Sequence, residues 1–142
     1  MVDYFGQMPL DIALSTNSPA ATIELRQAQT LGGGGHLAAF LLVRSGAFAA
    51  AMPLVFTRNE LDSFAEGLDA LHDTRSGAAL LHGRENDDVI RFESTDMGEL
   101  RIAGDLHEEP AAQRLTFRFV AEWAGLPSFL EGLRQLRSGY AR

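Results

Sequence analysis

The sequence of 142 residues carries 12 basic against 19 acidic side chains, a formal net charge of −7 and no cysteine; every basic residue is arginine, and lysine is absent. These absences exclude thiol nucleophiles, disulfide frameworks, thiolate zinc sites, Schiff-base amines and lysine-dependent phosphate loops. The acidic balance, with no run of clustered arginines along the chain, argues against nucleic-acid binding. An acidic surface instead steers a basic partner.

The length is that of one domain, so a single domain over residues 1–142 is expected, with a core that needs no staple. Residues 1–10 hold Asp3 and no positive stretch, so no secretory signal is expected. The apolar run from Leu37 to Phe56 is broken by Arg44-Ser45-Gly46 and by Pro53. A central arginine costs about 3 kcal/mol in a bilayer, whereas Arg-Ser-Gly is ordinary turn chemistry. The run therefore reads as two buried strands joined by a tight turn, central in a sheet, and the protein as soluble and cytoplasmic.

In chain order, Leu10–Ser15 and Ala21–Thr30 read as strands around the turn Thr16-Asn17-Ser18-Pro19. Ile23 and Leu25 alternate with Glu24 and Arg26, which marks a strand with one wet face. Gly32–Gly35 is a loop, and Leu37–Val43 with Ala47–Leu54 form the apolar hairpin. Thr57-Arg58-Asn59-Glu60 has the spacing of a capping box, so Thr57 opens a helix. Leu61, Phe64, Ala65, Leu68 and Leu71 give that helix one apolar face, and Gly77 closes it or begins the next element.

The second half repeats the plan. Gly77–His82, Asp88–Thr95, Glu99–His107 and Arg114–Ala121 read as strands, with Pro110 at the last turn. One hairpin can be placed in register. With Asp96-Met97-Gly98 as its loop and Gly98 left-handed, Phe92 faces Ile102, Ser94 faces Leu100, and Glu93 faces Arg101 on the wet side. Leu115, Phe117 and Phe119 point inward on the following strand. A closing helix runs from about Pro127 to Arg137, with Leu126, Phe129, Leu130, Leu133 and Leu136 on its apolar face.

Shifting the first helix by 65 positions aligns Leu61, Ser63, Phe64, Glu66, Gly67, Leu68 and Leu71 with Leu126, Ser128, Phe129, Glu131, Gly132, Leu133 and Leu136. The paired mid-helix glycines, Gly67 and Gly132, each cost about 1 kcal/mol relative to alanine, so close packing on a sheet or on the other helix is expected there. The fold class is α+β: about eight mostly antiparallel strands and two amphipathic helices in a duplicated β4-α arrangement, with halves at about 1–74 and 75–142.

Gly32–Gly35 with His36 has the look of a phosphate loop, but it leads into a strand and lacks Gly-Lys-Ser/Thr, so it reads as an interstrand connection. His36, His72, His82 and His107 show no paired ligand spacing. Asp105-x-His107-Glu108-Glu109 groups acids and an imidazole, and it reads as a solvated turn rather than a cation site. No G-x-S-x-G elbow exists; paired glycosidase carboxylates are a spatial matter that sequence leaves open. No catalytic residue, cofactor or metal is expected.

Two features remain as partner-binding candidates. Asp62, Glu66, Asp69 and Asp73 line one face of the first helix, opposite its apolar stripe. They suit either a basic partner or plain solvation, and Arg134 and Arg137 of the last helix offer a complement within or between molecules. Trp123, the single tryptophan, reads first as a corner anchor and second as an interface residue.

The hairpin Leu41-Leu42-Val43-Arg44-Ser45-Gly46-Ala47-Phe48, the helix Glu60-Leu61-x-x-Phe64-x-x-x-Leu68-x-x-Leu71, the strand Gly98-Glu99-Leu100-Arg101-Ile102 and the ending Leu115-x-Phe117-x-Phe119…Phe129-Leu130-x-Gly132-Leu133 resemble the WapI-type immunity proteins and related small bacterial proteins. The resemblance implies a non-enzymatic protein that binds and neutralises the toxic domain of a bacterial contact-dependent or secreted toxin. It carries no catalytic motif. The alternative is a homodimer or larger homo-oligomer joined through helices or a sheet edge; a ligand-binding or enzymatic cleft between the halves comes third.

Overall fold

The computed structural model describes residues 9–31, 35–83, 88–108 and 113–140. Strands β1 (Leu10–Leu14), β2 (Ala21–Leu31), β3 (His36–Ser45) and β4 (Phe48–Thr57) lead to helix α1 (Arg58–Thr74). Strands β5 (Ala78–His82), β6 (Val89–Ser94), β7 (Leu100–Glu108) and β8 (Gln113–Ala121) then lead, through a 3-10 turn at Trp123–Gly125, to helix α2 (Leu126–Tyr140). Each set of four strands is an antiparallel sheet in simple sequential order, so the class is α+β with the β4-α plan occurring twice.

Alternation decides which face each strand buries. On β3, Leu37, Ala39, Leu41 and Val43 are buried, while on β7 the buried set is Leu100, Ile102, Gly104 and Leu106. The β6–β7 register is the one the loop chemistry predicts: Phe92 opposite Ile102, Glu93 opposite Arg101, Ser94 opposite Leu100. Gly98 has φ 79°, and Arg101 Nε donates to Glu93 Oε2 at 2.7 Å.

The β3–β4 hairpin differs from expectation. It is not central: β4 is the edge of its sheet, and its outward positions Ala49, Ala51 and Pro53 are exposed. A proline without an N–H fits an edge strand, and its position was the signal for one. Along β2 the phase shifts at Gln27, which sits at φ 56° in a bulge and donates its backbone N–H to Asp11 Oδ1 at 2.9 Å.

Helix α1 begins as expected, with Glu60 N donating to Thr57 Oγ1 at 3.1 Å. Its end is not made by Gly77. Arg75 takes the left-handed cap at φ 57°, its N–H reaching Leu71 O at 2.8 Å. A non-glycine cap costs about 1 kcal/mol, and here the Arg75 guanidinium lies 4.5 Å from the centre of the Trp123 ring, which offsets it.

The helices are exchanged between the halves. Helix α1 follows the first sheet in sequence but packs mainly on β5 of the second; α2 follows the second sheet but packs on β1 of the first. The two glycines explain how. A Cβ on Gly67 would lie 3.0 Å from Ala79 Cβ, and one on Gly132 would lie 2.8 Å from Ile12 Cγ2, so both glycines let a helix backbone approach a strand. Where the helices meet each other, counterparts touch: Phe64 and Phe129 stack edge-on at 6.4 Å, and Asp69 pairs with Arg134 at 2.7 Å, each pair 65 positions apart. Phe92 of β6 completes this cluster, 5.5 Å from Phe64 and 5.2 Å from Phe129.

Candidate functional site

Three surfaces and one buried pair hold the polar chemistry of the molecule. The first is the acidic face of α1. Its helical spacing places Asp62, Glu66 and Asp69 against α2, where two of them meet arginines closely. Arg137 Nε donates to Asp62 Oδ1 at 3.0 Å and sits 3.9 Å from Glu66, while Arg134 Nη2 donates to Asp69 Oδ1 at 2.7 Å. Asp73 lies beyond this seam, 3.8 Å from His72. Glu66 and Asp73 keep most of their side chains in solvent, 72% and 81% exposed. The complement offered by Arg134 and Arg137 is thus made within one chain.

Trp123 is set apart from that ridge. It is half-buried at the corner between β8 and α2, with Nε1 donating to Gly98 O at 2.9 Å and Arg75 over its ring. Next to it, Gly125 abuts Ser15: an added Cβ would stand 2.3 Å from the Ser15 carbonyl oxygen. Trp123 therefore fastens the β6–β7 turn to the strand-to-helix corner.

The buried pair is Asp88 with His107. Asp88 is 2% exposed, and its Oδ1 accepts the His107 backbone N–H at 2.7 Å. His107 Nδ1 is buried 3.7 Å from that carboxylate without a hydrogen bond. Burial pushes the Asp88 carboxyl above its ordinary value, against the opposing pull of the His107 N–H. On the other side of His107, Asp105 is gripped by Arg114 through both oxygens at 2.7 Å, which holds its carboxyl below the usual range. Among the described residues no group of three or more acids and histidines is arranged to hold a metal ion. Asp105, His107 and Glu108, expected in a turn, lie on β7 instead, because the ladder to β8 runs on to Glu108 opposite Gln113; Glu109 and Gly32–Gly34 lie outside the described residues.

The other two surfaces are the outward faces of the sheets, and they differ in chemistry. On the first sheet, Phe40 stands between Arg26 and Pro53, and Leu42 between Glu24 and Ala51. Phe40 is 51% exposed there, while Phe48, at the start of β4 and on the parity of the inward side, is 68% exposed. On the second, the outward positions of β6, β7 and β8 carry Arg91, Arg101, Arg114 and Arg118 together with Glu93 and Asp105. No short window of sequence holds this cluster, because its members come from three strands. The signal available was parity: all four arginines fall on wet positions of their strands.

A pair of four-strand antiparallel meanders with exchanged helices defines an α+β protein. Residues 22–140 match the immunity protein WapI-like family, and the chain belongs to that family. Comparison with curated proteins gives no match. Two solved structures share the fold. One is the Trypanosoma bruciei MRP1/MRP2 crystal structure, with TM-score 0.55, 12% identity, and 96% of this chain and 90% of that one covered. The other is the plant transcriptional regulator PBF-2, with TM-score 0.54, 9% identity, and 95% and 83% covered. At such identities the likeness concerns the fold alone.

Proposed function

We propose that this chain is a non-enzymatic inhibitor that binds a bacterial toxin domain and neutralises it by occupying its surface in the cytoplasm. The observation that carries the reading is the family match over residues 22–140. The arrangement of α1 supports it, since Glu66 and Asp73 remain outward after α2 has satisfied Asp62 and Asp69, and they suit a basic toxin domain. The test is co-expression of the protein with the toxin domain encoded beside its gene. Growth rescue and a co-purifying complex are expected, weakened by Glu66→Arg with Asp73→Arg. Absence of both rescue and complex would overturn the proposal.

A homo-oligomer is the second reading, favoured by the uncharged edge strand β4 beside the exposed Phe40 and Phe48. Light scattering on the purified protein decides it, since a monomer at high concentration rejects it.

A further inference from the structure

The outward face of the second sheet has a charge balance opposite to that of the molecule. It carries four arginines and two carboxylates, a local excess of positive charge on a chain whose net charge is −7. Both carboxylates are already committed. Arg101 Nε holds Glu93 at 2.7 Å, and Arg114 holds both oxygens of Asp105. The excess is therefore localised on Arg91 and Arg118. Arg91 is half-exposed and stands 3.5 Å from the shared Glu93. The Arg118 side chain is exposed, with no hydrogen-bond or ion-pair partner among the described residues.

The register places these two residues on either side of one alanine. Arg91 pairs with Ala103 on β7, and Ala103 pairs with Arg118 on β8. Their backbones are thus two strand spacings apart, about 10 Å, with a methyl group between them. This row forms part of an open depression of about 640 Å³ whose floor and walls include Ala103, Gly104, Thr116 and Asp105. An arginine on either side of a small-residue floor suits a planar carboxylate, which can take a hydrogen-bonded ion pair from each.

We propose that this face receives an acidic segment of a partner protein, with an aspartate or glutamate carboxylate seated over Ala103 between Arg91 and Arg118. A nucleic acid suits the surface less well. Among the described residues no Phe, Tyr or Trp occupies an outward position on β6, β7 or β8, and the outward ring of His107 is three-quarters buried beside Asp88. Glu93 and Asp105 also flank the Arg91–Ala103–Arg118 row on either side, two residues along the strands. A continuous phosphate backbone running along a strand would meet one of them, whereas a single carboxylate avoids both. The site is on the opposite side of its sheet from Phe92 and the helices, and the inference does not depend on the toxin reading.

The test is an NMR titration of the whole protein with a synthetic glutamate-rich peptide at low salt. Parallel titrations use the matching glutamine peptide, inorganic phosphate and an oligothymidylate. The glutamate peptide is expected to shift the amides of Ala103, Thr116 and Arg118, with affinity falling about tenfold as salt rises to about 0.3 M. Arg118→Gln and Arg91→Gln are each expected to weaken it severalfold at unchanged melting temperature, while Arg44→Gln, on the first sheet, leaves it within about twofold. No shifts, equal shifts with the glutamine peptide, shifts confined to the helices, or tighter binding of phosphate or oligothymidylate at this face would each overturn it. Absence of peptide shifts in a protein that still binds its toxin would leave the previous reading standing and this one refuted.

Discussion

Replacing Gly132 by alanine sets two known effects against each other. Alanine is favoured over glycine in a helix interior by about 1 kcal/mol. The new methyl, however, would stand 2.8 Å from Ile12 Cγ2 and 3.0 Å from Ile12 Cγ1, about 1 Å inside ordinary carbon–carbon contact. Ile12 is 2% exposed on β1, and its β-branched side chain has little rotamer freedom with which to withdraw. Overpacking of this kind costs about 1–3 kcal/mol, so the net effect is a loss of about 1 kcal/mol and about 3 °C in melting temperature. The decisive measurement is a double-mutant cycle with Ile12→Ala, followed by thermal and urea unfolding. Ile12→Ala alone opens a cavity at a cost of about 2–5 kcal/mol. In that background Gly132→Ala fills part of the space and gains its helix propensity, so it is expected to stabilise. A coupling of about 1–3 kcal/mol between the two sites follows. If Gly132→Ala raises the melting temperature of the otherwise unaltered chain, the close-approach argument for both helix glycines is wrong.

Other outcomes can be checked on the same purified protein. Asp88 titrates in the folded chain above its ordinary value of 3.8, so the fold holds that proton more tightly than the unfolded chain does. Its contribution to stability therefore declines as pH rises through this window. Asp88→Asn keeps an acceptor for the His107 N–H and carries no charge, so its melting temperature should gain on the parent as pH rises above the ordinary carboxylate value; parallel curves would refute this. Thr57→Ala removes the acceptor for Glu60 N and is expected to cost about 1 kcal/mol in chemical unfolding. Trp123→Phe keeps a ring beneath Arg75 but loses the bond to Gly98 O, and a cost of at most about 1 kcal/mol is expected because water can replace the donor at that exposed carbonyl.

What the sequence discloses here depends on how local the cause is. The β6–β7 register was legible because Gly98 fixes the loop and because a one-residue slip would move Phe92 and Ile102 to the wet face. The helices were legible because Thr57 and the spacing of Leu61, Phe64, Leu68 and Leu71 act within a few turns. The position of the β3–β4 hairpin was not. Apolar residues at outward positions, such as Phe40, Ala49 and Ala51, make an open face read as a buried one, and only Pro53 pointed to the edge. The charged face of the second sheet was hidden for a further reason. The complement of Asp62 and Asp69 by Arg137 and Arg134 was legible, leaving only whether it is made within one chain, but Arg91, Ala103 and Arg118 come together across three strands, and linear spacing does not report that.

The exchange of helices has a consequence for how the chain reaches this state. β1 emerges from the ribosome well before α2, but the surface of Ile12 that it presents is covered by Gly132 of that helix. The first sheet must therefore wait, with an apolar side exposed, until α2, 120 positions further along the chain, has been synthesised. Closing a contact between such distant segments is slow compared with forming the hairpins on either side. The vulnerable interval for this protein is translation, when its first half is present and its lid has not yet been made.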